Sequence, residues 1–308
     1  MIDFDVELLK KKMEEAHYVY DDNLITTLIV SLKLDRPLLI EGAAGVGKTE
    51  IAKVMAAALD RDLIRLQCYE GLDESKAIYE WNYQKQLLSI QVNMGKQDDE
   101  SLTKSLFSDE YLLERPLLQS IRSEKPVVLL IDEIDKADEA FEAFLLELLS
   151  DMQVSIPEVG TISAKTKPFI VLTSNRTRPI SDALRRRCAY LYIEYPDVEK
   201  ELEILRSRLP EVDAKLCLQV AEAVQKLRAN EAILKKPSVA ESLDWAEALH
   251  ALGVKELTPE LMKSTVGFVL KNQEDINTIL NSDGEEHECS CGCGHHHQHG
   301  EGCNHHHA

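Results

Sequence analysis

Short apolar runs alternate along the first two thirds of the chain with longer segments whose apolar residues recur at helical spacing. Buried strands are predicted at PLLI (37–40), LIRLQ (63–67), VVLLI (127–131) and PFIVLTS (168–174). Helices are predicted within the N-terminal stretch 4–33 and over 48–59, 110–122, 138–151 and 181–186. This alternation predicts an α/β fold in which a parallel sheet carries helices on both faces.

Two stretches between these strands have the pattern of hairpins. In AIYEWNYQKQLLSIQVN, the aromatic residues Tyr79, Trp81 and Tyr83 alternate with polar residues, which predicts a hairpin that projects from the sheet. QVSIPEVGTISAKT (153–166) predicts a second hairpin, because Pro157 and Gly160 are typical turn residues.

Beyond Tyr195-Pro196 the strand pattern ends, and the remaining periodic segments are all helical. They lie near 197–208, 213–229, 238–251 and 259–272. We therefore predict an α/β domain at 1–195 and a helical domain at 196–280. The last segment, 281–308, has almost no aliphatic residue to bury, which predicts a disordered tail unless a metal organises it.

Charge and hydropathy narrow the class of protein. The formal net charge of −19 repels nucleic-acid phosphates, and the densest basic cluster, Arg185–Arg187, is too short to follow a duplex. The chain has no apolar stretch of about 18 residues, and its acidic N-terminus is unlike a signal peptide. We expect a cytoplasmic protein that neither binds nucleic acid nor spans a membrane. Cys68, Cys188 and Cys217 are scattered singly, as buried thiols are.

A phosphate-binding loop is predicted between the strand at 37–40 and the helix at 48–59. GAAGVGKT fits the pattern G-x-x-x-x-G-K-[ST] without a mismatch, and a mere glycine-rich turn is the weaker alternative. In such a loop the backbone N–H groups and the helix N-terminus face the phosphates, the lysine neutralises them, and the hydroxyl completes a magnesium shell. The candidate ATP-binding residues are Gly42, Ala43, Ala44, Gly45, Val46, Gly47, Lys48, Thr49 and Glu50.

Three polar side chains at strand ends are candidates for the chemistry of hydrolysis. After the run VVLLI, Asp132 is predicted to hold Mg²⁺ through water, together with Thr49, and Glu133 to orient and deprotonate the attacking water. Asn175 ends the next apolar run, where an amide is suited to position that water. A capping or turn residue is the alternative for each of them.

The cluster RRR at the end of the helix 181–186 offers the cation that phosphoryl transfer requires from outside the loop. We favour Arg187, and next Arg186, as a residue that reaches the pocket of a neighbouring subunit. The alternative is a solvated basic turn.

These elements, in this order, resemble the AAA+ ATPases, a P-loop fold with a three-layer α/β sandwich followed by an all-α lid domain. LIEGAAGVGKTEIAK, IRLQCYEGLDESKAIYEWNY, ERPLLQSI, LLIDEIDKADEAFEAFLLELL, LTSNRTRPISDALRRRC and KPSVAESLDWAEAL resemble the MoxR family. Within that family they are most similar to the CoxD-like branch, which is associated with carbon monoxide dehydrogenase maturation. The resemblance covers about residues 15–272.

The resemblance implies a ring of identical subunits, usually a hexamer, that hydrolyses ATP between subunits and acts as a chaperone. Its expected partners are a von Willebrand factor A domain protein and a target metalloenzyme, whose metal-cofactor insertion it assists. The two hairpins would be a helix-2 insert at about 79–95 and a pre-sensor-1 hairpin at 153–166, both facing the pore. There Tyr79, Trp81 and Tyr83 would touch a partner or simply pack within the hairpin.

One departure concerns the lid. Many AAA+ proteins have an arginine near the start of the third lid helix that contacts the γ-phosphate. In LKKPSVAES this chain has Lys235 and Lys236 before Pro237 and no arginine. A second sensor is therefore doubtful, and lid closure is expected to be weakly coupled to the nucleotide.

The C-terminal tail has the composition of a metal-binding segment, since thiolates and imidazoles suit zinc, nickel and copper. The candidate ligands are His287, Cys289, Cys291, Cys293, His295, His296, His297, His299 and Cys303. Three interpretations stay open: a purification tag, adventitious metal binding, and a metal-storing or metal-delivering appendage. The last gives the alternative function of a nucleotide-gated metallochaperone or metal-storage protein.

Overall fold

Nine strands form the sheets of the computed structural model, which describes residues 6–93, 106–157 and 159–281. The strands are β1 (Leu38–Gly42), β2 (Leu63–Gln67), β3 (Tyr79–Trp81), β4 (Leu112–Glu114), β5 (Val128–Asp132), β6 (Gln153–Ile156), β7 (Gly160–Ser163), β8 (Phe169–Ser174) and β9 (Ala189–Ile193). Five of them build one parallel sheet in the order β2-β5-β8-β1-β9. The three central strands are buried along their whole length, so they are nearly all apolar. All four predicted strands are present, but β2, at the edge of the sheet, is not buried as predicted, since Arg65 and Gln67 are exposed.

Helices cover both faces of this sheet. They are α1 (Val6–Glu15), α2 (Asp22–Lys33), α3 (Lys48–Leu59), α4 (Glu74–Ala77), α5 (Tyr83–Asn93), α6 (Pro116–Arg122), α7 (Glu139–Asp151) and α8 (Asp182–Arg187). One core joins α1, α2 and α3 to one face, through residues such as Ile40 and Leu130. The other core joins α6 and α7 to the opposite face, through residues such as Leu39 and Ile131. The predicted three-layer α/β sandwich is confirmed.

The first predicted hairpin is wrong. β3 pairs with β4 in antiparallel register, and the residues that follow β3 form the helix α5. Trp81 is buried against Tyr79 and Phe107, so the alternation reflects one short buried strand. Asn82 then accepts a hydrogen bond from the backbone N–H of Lys85, as a helix cap does, and ends the strand.

The second predicted hairpin is confirmed, because β6 and β7 pair in antiparallel register. The helix predicted over 110–122 is shorter than expected. Residues Asp109–Tyr111 form a 3-10 turn, β4 follows, and α6 begins only at Pro116. A proline is accepted in the first turn of a helix but not in its interior, so it fixes where α6 starts.

The C-terminal region is helical, as predicted. It contains α9 (Val198–Arg208), α10 (Ala214–Ala229), α11 (Val239–Ala251), α12 (Pro259–Thr265) and α13 (Gln273–Asn281). The segment predicted as one helix over 259–272 is divided into α12 and a 3-10 turn, and α13 was not predicted. These helices have a core of their own around Trp245, whose indole N–H donates to Thr265. The domain limits 1–195 and 196–280 stay predictions.

Within the described part of the chain, no helix is both long and apolar enough to cross a bilayer. Cys68, Cys188 and Cys217 are buried free thiols, as predicted. Burial raises the pKa of Cys68 and of Cys188 to about 12, so both thiols are un-ionised at neutral pH. Apart from Asn281, the predicted tail with its candidate metal ligands lies outside the described residues.

Candidate active site

The predicted phosphate-binding loop joins β1 to α3 at the carboxyl edge of the sheet. Gly47, the residue before α3, has a left-handed φ of 93°, which glycine adopts without strain. Gly42 lies so close to β9 that a Cβ atom built on it would be 2.4 Å from the carbonyl oxygen of Ile193. A side chain at either position would therefore distort the loop. Glu50 lies in the first turn of α3, where its carboxylate pairs with Lys53 at 2.7 Å.

Lys48 is the cation of this loop and is only 6% exposed. Its ammonium group donates to the carbonyl oxygens of Gly42 and Ala43, at 2.9 and 2.6 Å, and to Oδ1 of Asn175 at 2.7 Å. Burial lowers the pKa of Lys48, although the nearby carboxylates oppose that change. The ammonium group is thus held at the mouth of the loop by oxygen atoms of the chain itself.

Asp132 ends β5 beside the loop and is 3% exposed. The hydroxyl group of Thr49 lies 3.1 and 3.3 Å from its two carboxylate oxygens, and the hydroxyl group of Thr173 donates to Oδ1. The guanidinium group of Arg65, on β2, donates to Oδ2 from Nε at 3.1 Å and from Nη2 at 2.6 Å. A carboxylate beside a hydroxyl is a set of hard oxygen donors, so Thr49 and Asp132 fit Mg²⁺.

Glu133 follows Asp132 with a left-handed φ of 56°, an uncommon conformation for a residue other than glycine. Its carboxylate accepts from Nδ2 of Asn175 at 3.1 Å and from Nε2 of Gln67 at 3.2 Å. Asn175 therefore touches both Lys48 and Glu133. The strand ends bring together the residues that the sequence predicts for hydrolysis, and they add Gln67, which the sequence did not single out.

A buried aspartate holds the segment that carries Asn175. Asp135, 3% exposed, accepts from the backbone N–H of Asn175 at 3.1 Å. It also accepts from the backbone N–H and the hydroxyl group of Thr177, at 2.9 and 2.7 Å. Burial by itself would raise the pKa of Asp135, but these hydrogen bonds outweigh burial and hold the pKa below its usual value.

We expect Asp135→Asn to lower the free energy of unfolding by about 2 kcal/mol at pH 7, because an amide replaces a carboxylate that accepts three hydrogen bonds. A depressed carboxyl pKa stabilises the fold above the unfolded pKa of about 3.9, and this contribution disappears as the pH falls through the folded pKa. The difference between parent and variant should therefore shrink in acid.

Urea unfolding of both chains at pH 7 and at about pH 3 measures this difference. Asp151→Asn, at an exposed position at the end of α7, is the control and should leave the unfolding midpoint unchanged. A loss in Asp135→Asn that is the same at both pH values would contradict the expectation.

The three arginines at the end of α8 have different surroundings. Arg185 donates to the buried carboxylate of Glu41 at 2.7 Å. Arg187 donates to the hydroxyl group of Ser150 at 2.6 Å and to the carbonyl oxygen of Ala183 at 3.0 Å. Arg186 is exposed. None of the three lines the cleft of its own chain. The role predicted for Arg187 and Arg186 in a neighbouring subunit stays a prediction.

The loop opens into a cleft of about 1000 Å³ between the sheet edge and the C-terminal helices. The start of α11 closes against the loop, since a Cβ atom on Gly45 would lie 2.6 Å from Ser238. Ala240 in the first turn of α11 lines the cleft, and Lys235 and Lys236 do not. Two cations that the sequence did not single out line it instead, Lys200 and Arg208, both on α9.

Known proteins resemble this chain in sequence and in fold. Residues 37–188 match the AAA domain (dynein-related subfamily). An uncharacterized protein of Staphylococcus aureus is 21% identical over 281 residues, which cover 88% of this chain and 98% of that protein. An uncharacterized protein of Staphylococcus haemolyticus is 21% identical over 215 residues, 68% of this chain and 74% of that protein.

A solved structure of a RuvB variant from Thermotoga maritima superposes with a TM-score of 0.50 at 16% identity. The superposition covers 83% of this chain and 72% of that chain. At this identity the likeness concerns the fold alone. Together with the sheet order, the phosphate-binding loop and the domain match, it confirms the predicted AAA+ P-loop fold with a helical C-terminal region.

Proposed function

We propose that this chain, which has the AAA+ P-loop fold with an AAA domain at residues 37–188, hydrolyses ATP to ADP and phosphate. The observation that supports the proposal best is a chain of contacts at the sheet edge. Asn175 binds both Lys48 and Glu133, and Asp132 lies against Thr49. A cation, a base, a metal-binding carboxylate and an amide within reach of one another are the groups that phosphoryl transfer to water requires.

In this mechanism the backbone N–H groups of Gly42–Thr49 and the ammonium group of Lys48 bind the β- and γ-phosphates. Thr49 and Asp132 would hold Mg²⁺, and the ion would neutralise part of the phosphate charge. Glu133 accepts the proton of the attacking water, and Asn175 orients that water against the γ-phosphate. In this structure Lys48 and Glu133 are both hydrogen-bonded to Asn175. The incoming phosphate would replace Asn175 as a partner of Lys48, and the attacking water would replace it as a partner of Glu133.

We further propose that hydrolysis takes place between copies of the chain, in a ring that is hexameric as in the MoxR family. The support is that Arg186 and Arg187 lie outside the cleft of their own chain, which leaves the transition state without an arginine from α8 in cis. An arginine supplied by a neighbouring subunit stabilises the charge of the transferring phosphoryl group.

A mixing experiment tests ATP hydrolysis and its position between subunits together. Arg187→Ala and Lys48→Ala should each release less than about a tenth of the phosphate of the parent chain. Mixed rings should recover part of that activity, because an intact Lys48 on one copy then meets an intact Arg187 on the next. Phosphate release by the parent chain, by each variant and by equimolar mixtures is the measurement.

Arg115→Ala, which removes an exposed arginine paired with Glu80, is the control and should keep the parent activity. If the mixture of Arg187→Ala and Lys48→Ala is as inactive as either variant alone, Arg187 does not act between subunits. If the parent chain releases no phosphate with ATP and Mg²⁺, the proposed reaction itself is wrong.

The target of the activity is proposed from the sequence resemblance. We propose a cytoplasmic chaperone of the MoxR family that acts with a von Willebrand factor A domain protein to mature a metalloenzyme. The cysteine- and histidine-rich segment 281–308 would bring zinc, nickel or copper to that target. An effect of such a partner on phosphate release in the mixing assay would support this part of the proposal.

A further inference from the structure

Arg65 is an unexpected cation in the candidate site. It lies on β2, which pairs with β5 so that Gln67 is opposite Asp132. Residues two apart on a strand share a face, so the side chains of Arg65 and Gln67 project together beside the end of β5. From there the guanidinium group donates to Oδ2 of Asp132 through both Nε and Nη2.

The carboxylate of Asp132 has no oxygen left without a donor from the chain. Oδ1 accepts from the hydroxyl groups of Thr49 and Thr173, and Oδ2 is occupied by Arg65. A carboxylate that is 3% exposed requires such donors or a cation, because burial without them is costly. Arg65 is thus a cation that compensates the charge of Asp132 in this structure.

The two partners differ in how easily they can separate. The side chain of Arg65 is 52% exposed, so its charge can return to water when it leaves Asp132, whereas the side chain of Asp132 stays buried. A guanidinium group and a divalent cation held by the same carboxylate group repel each other. Arg65 and Mg²⁺ are therefore competitors for Asp132.

We propose that Arg65 is a displaceable internal cation, which binds Asp132 in the nucleotide-free chain and leaves it when Mg²⁺ and ATP enter. This inference rests on the proposed function. It adds a residue that sets the concentration of divalent cation at which the site is filled. The exchange links metal binding to the base, because Nη2 of Arg65 also donates to Gln67 at 2.6 Å and Gln67 donates to Glu133. When Arg65 leaves, Gln67 loses the contact that orients it toward Glu133.

The test is direct binding of Mn²⁺, followed by electron paramagnetic resonance, to the full chain saturated with a non-hydrolysable ATP analogue. Mn²⁺ bound without nucleotide is measured separately and subtracted. Arg65→Gln removes the charge, keeps hydrogen-bonding capacity and should bind Mn²⁺ about fivefold more tightly than the parent chain. Arg65→Lys keeps a charge but loses the two-point contact, so its affinity should lie between those of the parent and Arg65→Gln.

Arg115→Gln is a matched control, because Arg115 is also a half-exposed arginine paired with a carboxylate, that of Glu80, and should leave Mn²⁺ affinity unchanged. Nucleotide affinity in EDTA, measured with a fluorescent ATP analogue, separates nucleotide binding, on which the proposed function depends, from competition between Arg65 and the metal. If the parent chain binds nucleotide and Arg65→Gln binds Mn²⁺ no more tightly than the parent, Arg65 does not compete with the metal and the inference is wrong.

Two other outcomes are also decisive. If the parent chain binds nucleotide neither in EDTA nor with Mn²⁺, the proposed function fails and this inference fails with it. If Arg65→Gln does not fold, as thermal unfolding would reveal, Arg65→Lys decides the matter, and Mn²⁺ affinity below that of the parent chain would overturn the proposal.

Discussion

Replacing Glu133 with glutamine is expected to lower the rate of ATP hydrolysis about a hundredfold or more, while ATP stays bound. The substitution keeps the shape of the side chain but removes its ability to accept a proton, and a positioned general base contributes typically 10²–10⁴ in rate. The carboxylate of Glu133 is hydrogen-bonded to the amides of Asn175 and Gln67 and not to Lys48. The groups predicted to hold the phosphates are therefore left in place.

Single-turnover phosphate release measures the rate, and retention of labelled ATP on the same sample measures binding. Glu139→Gln, at an exposed position in the first turn of α7, is the control for the loss of one carboxylate near the site. A Glu133→Gln chain that hydrolyses ATP at more than a tenth of the parent rate would show that another group accepts the proton.

The sequence predicts the central part of this fold because buried parallel strands leave a strong signal. β1, β5 and β8 have no exposed residue, so each is a run of apolar residues that helices of ordinary length separate. The insert after β2 is different. Its short strand and its helix both carry aromatic and aliphatic residues, and a period of two over five residues does not show that Asn82 will begin a helix.

The sequence also predicts that most residues of the candidate site lie close together. Lys48, Asp132, Glu133 and Asn175 follow apolar runs, and the carboxyl ends of parallel strands meet at one edge, so their proximity follows from the fold class. Arg65 and Gln67 could not be found in that way. They are exposed alternate residues of β2 and resemble ordinary solvent-facing positions until the strand order places β2 beside β5. Nothing in a single sequence gives that order.

The same limit applies to the wall of the cleft formed by the helical region. Lys200 and Arg208 lie on a helix with many charged residues, where a cation that faces the nucleotide cannot be told from one that faces water. The absence of an arginine near the start of α11 was visible in the sequence. The cations that line the cleft from α9 were not, because their position depends on how α9 packs beside the sheet edge.

Replacing Lys48 with alanine is expected to weaken ATP binding about a hundredfold, measured in EDTA so that no metal contributes. Hydrogen bonds to a charged group contribute about 1.5–3 kcal/mol each, so the loss of two contacts to phosphate oxygens corresponds to roughly two to four powers of ten. We expect the lower end of this range, a hundredfold loss of affinity, because Lys48 binds three oxygen atoms of the chain that it must leave in order to bind phosphate.

Lys53→Ala removes a lysine from the exposed side of the same helix, where it pairs with Glu50, and should bind ATP as the parent chain does. Titration with a fluorescent ATP analogue gives both affinities, and thermal unfolding shows whether α3 stays folded. Removing Lys48 leaves three oxygen atoms of the chain without this donor, so the unfolding comparison is needed to separate a loss of phosphate binding from a loss of folding. Affinity within about threefold of the parent chain would mean that the phosphates do not lie at Gly42–Thr49, because no neighbouring lysine of α3 can replace a cation held at the mouth of this loop.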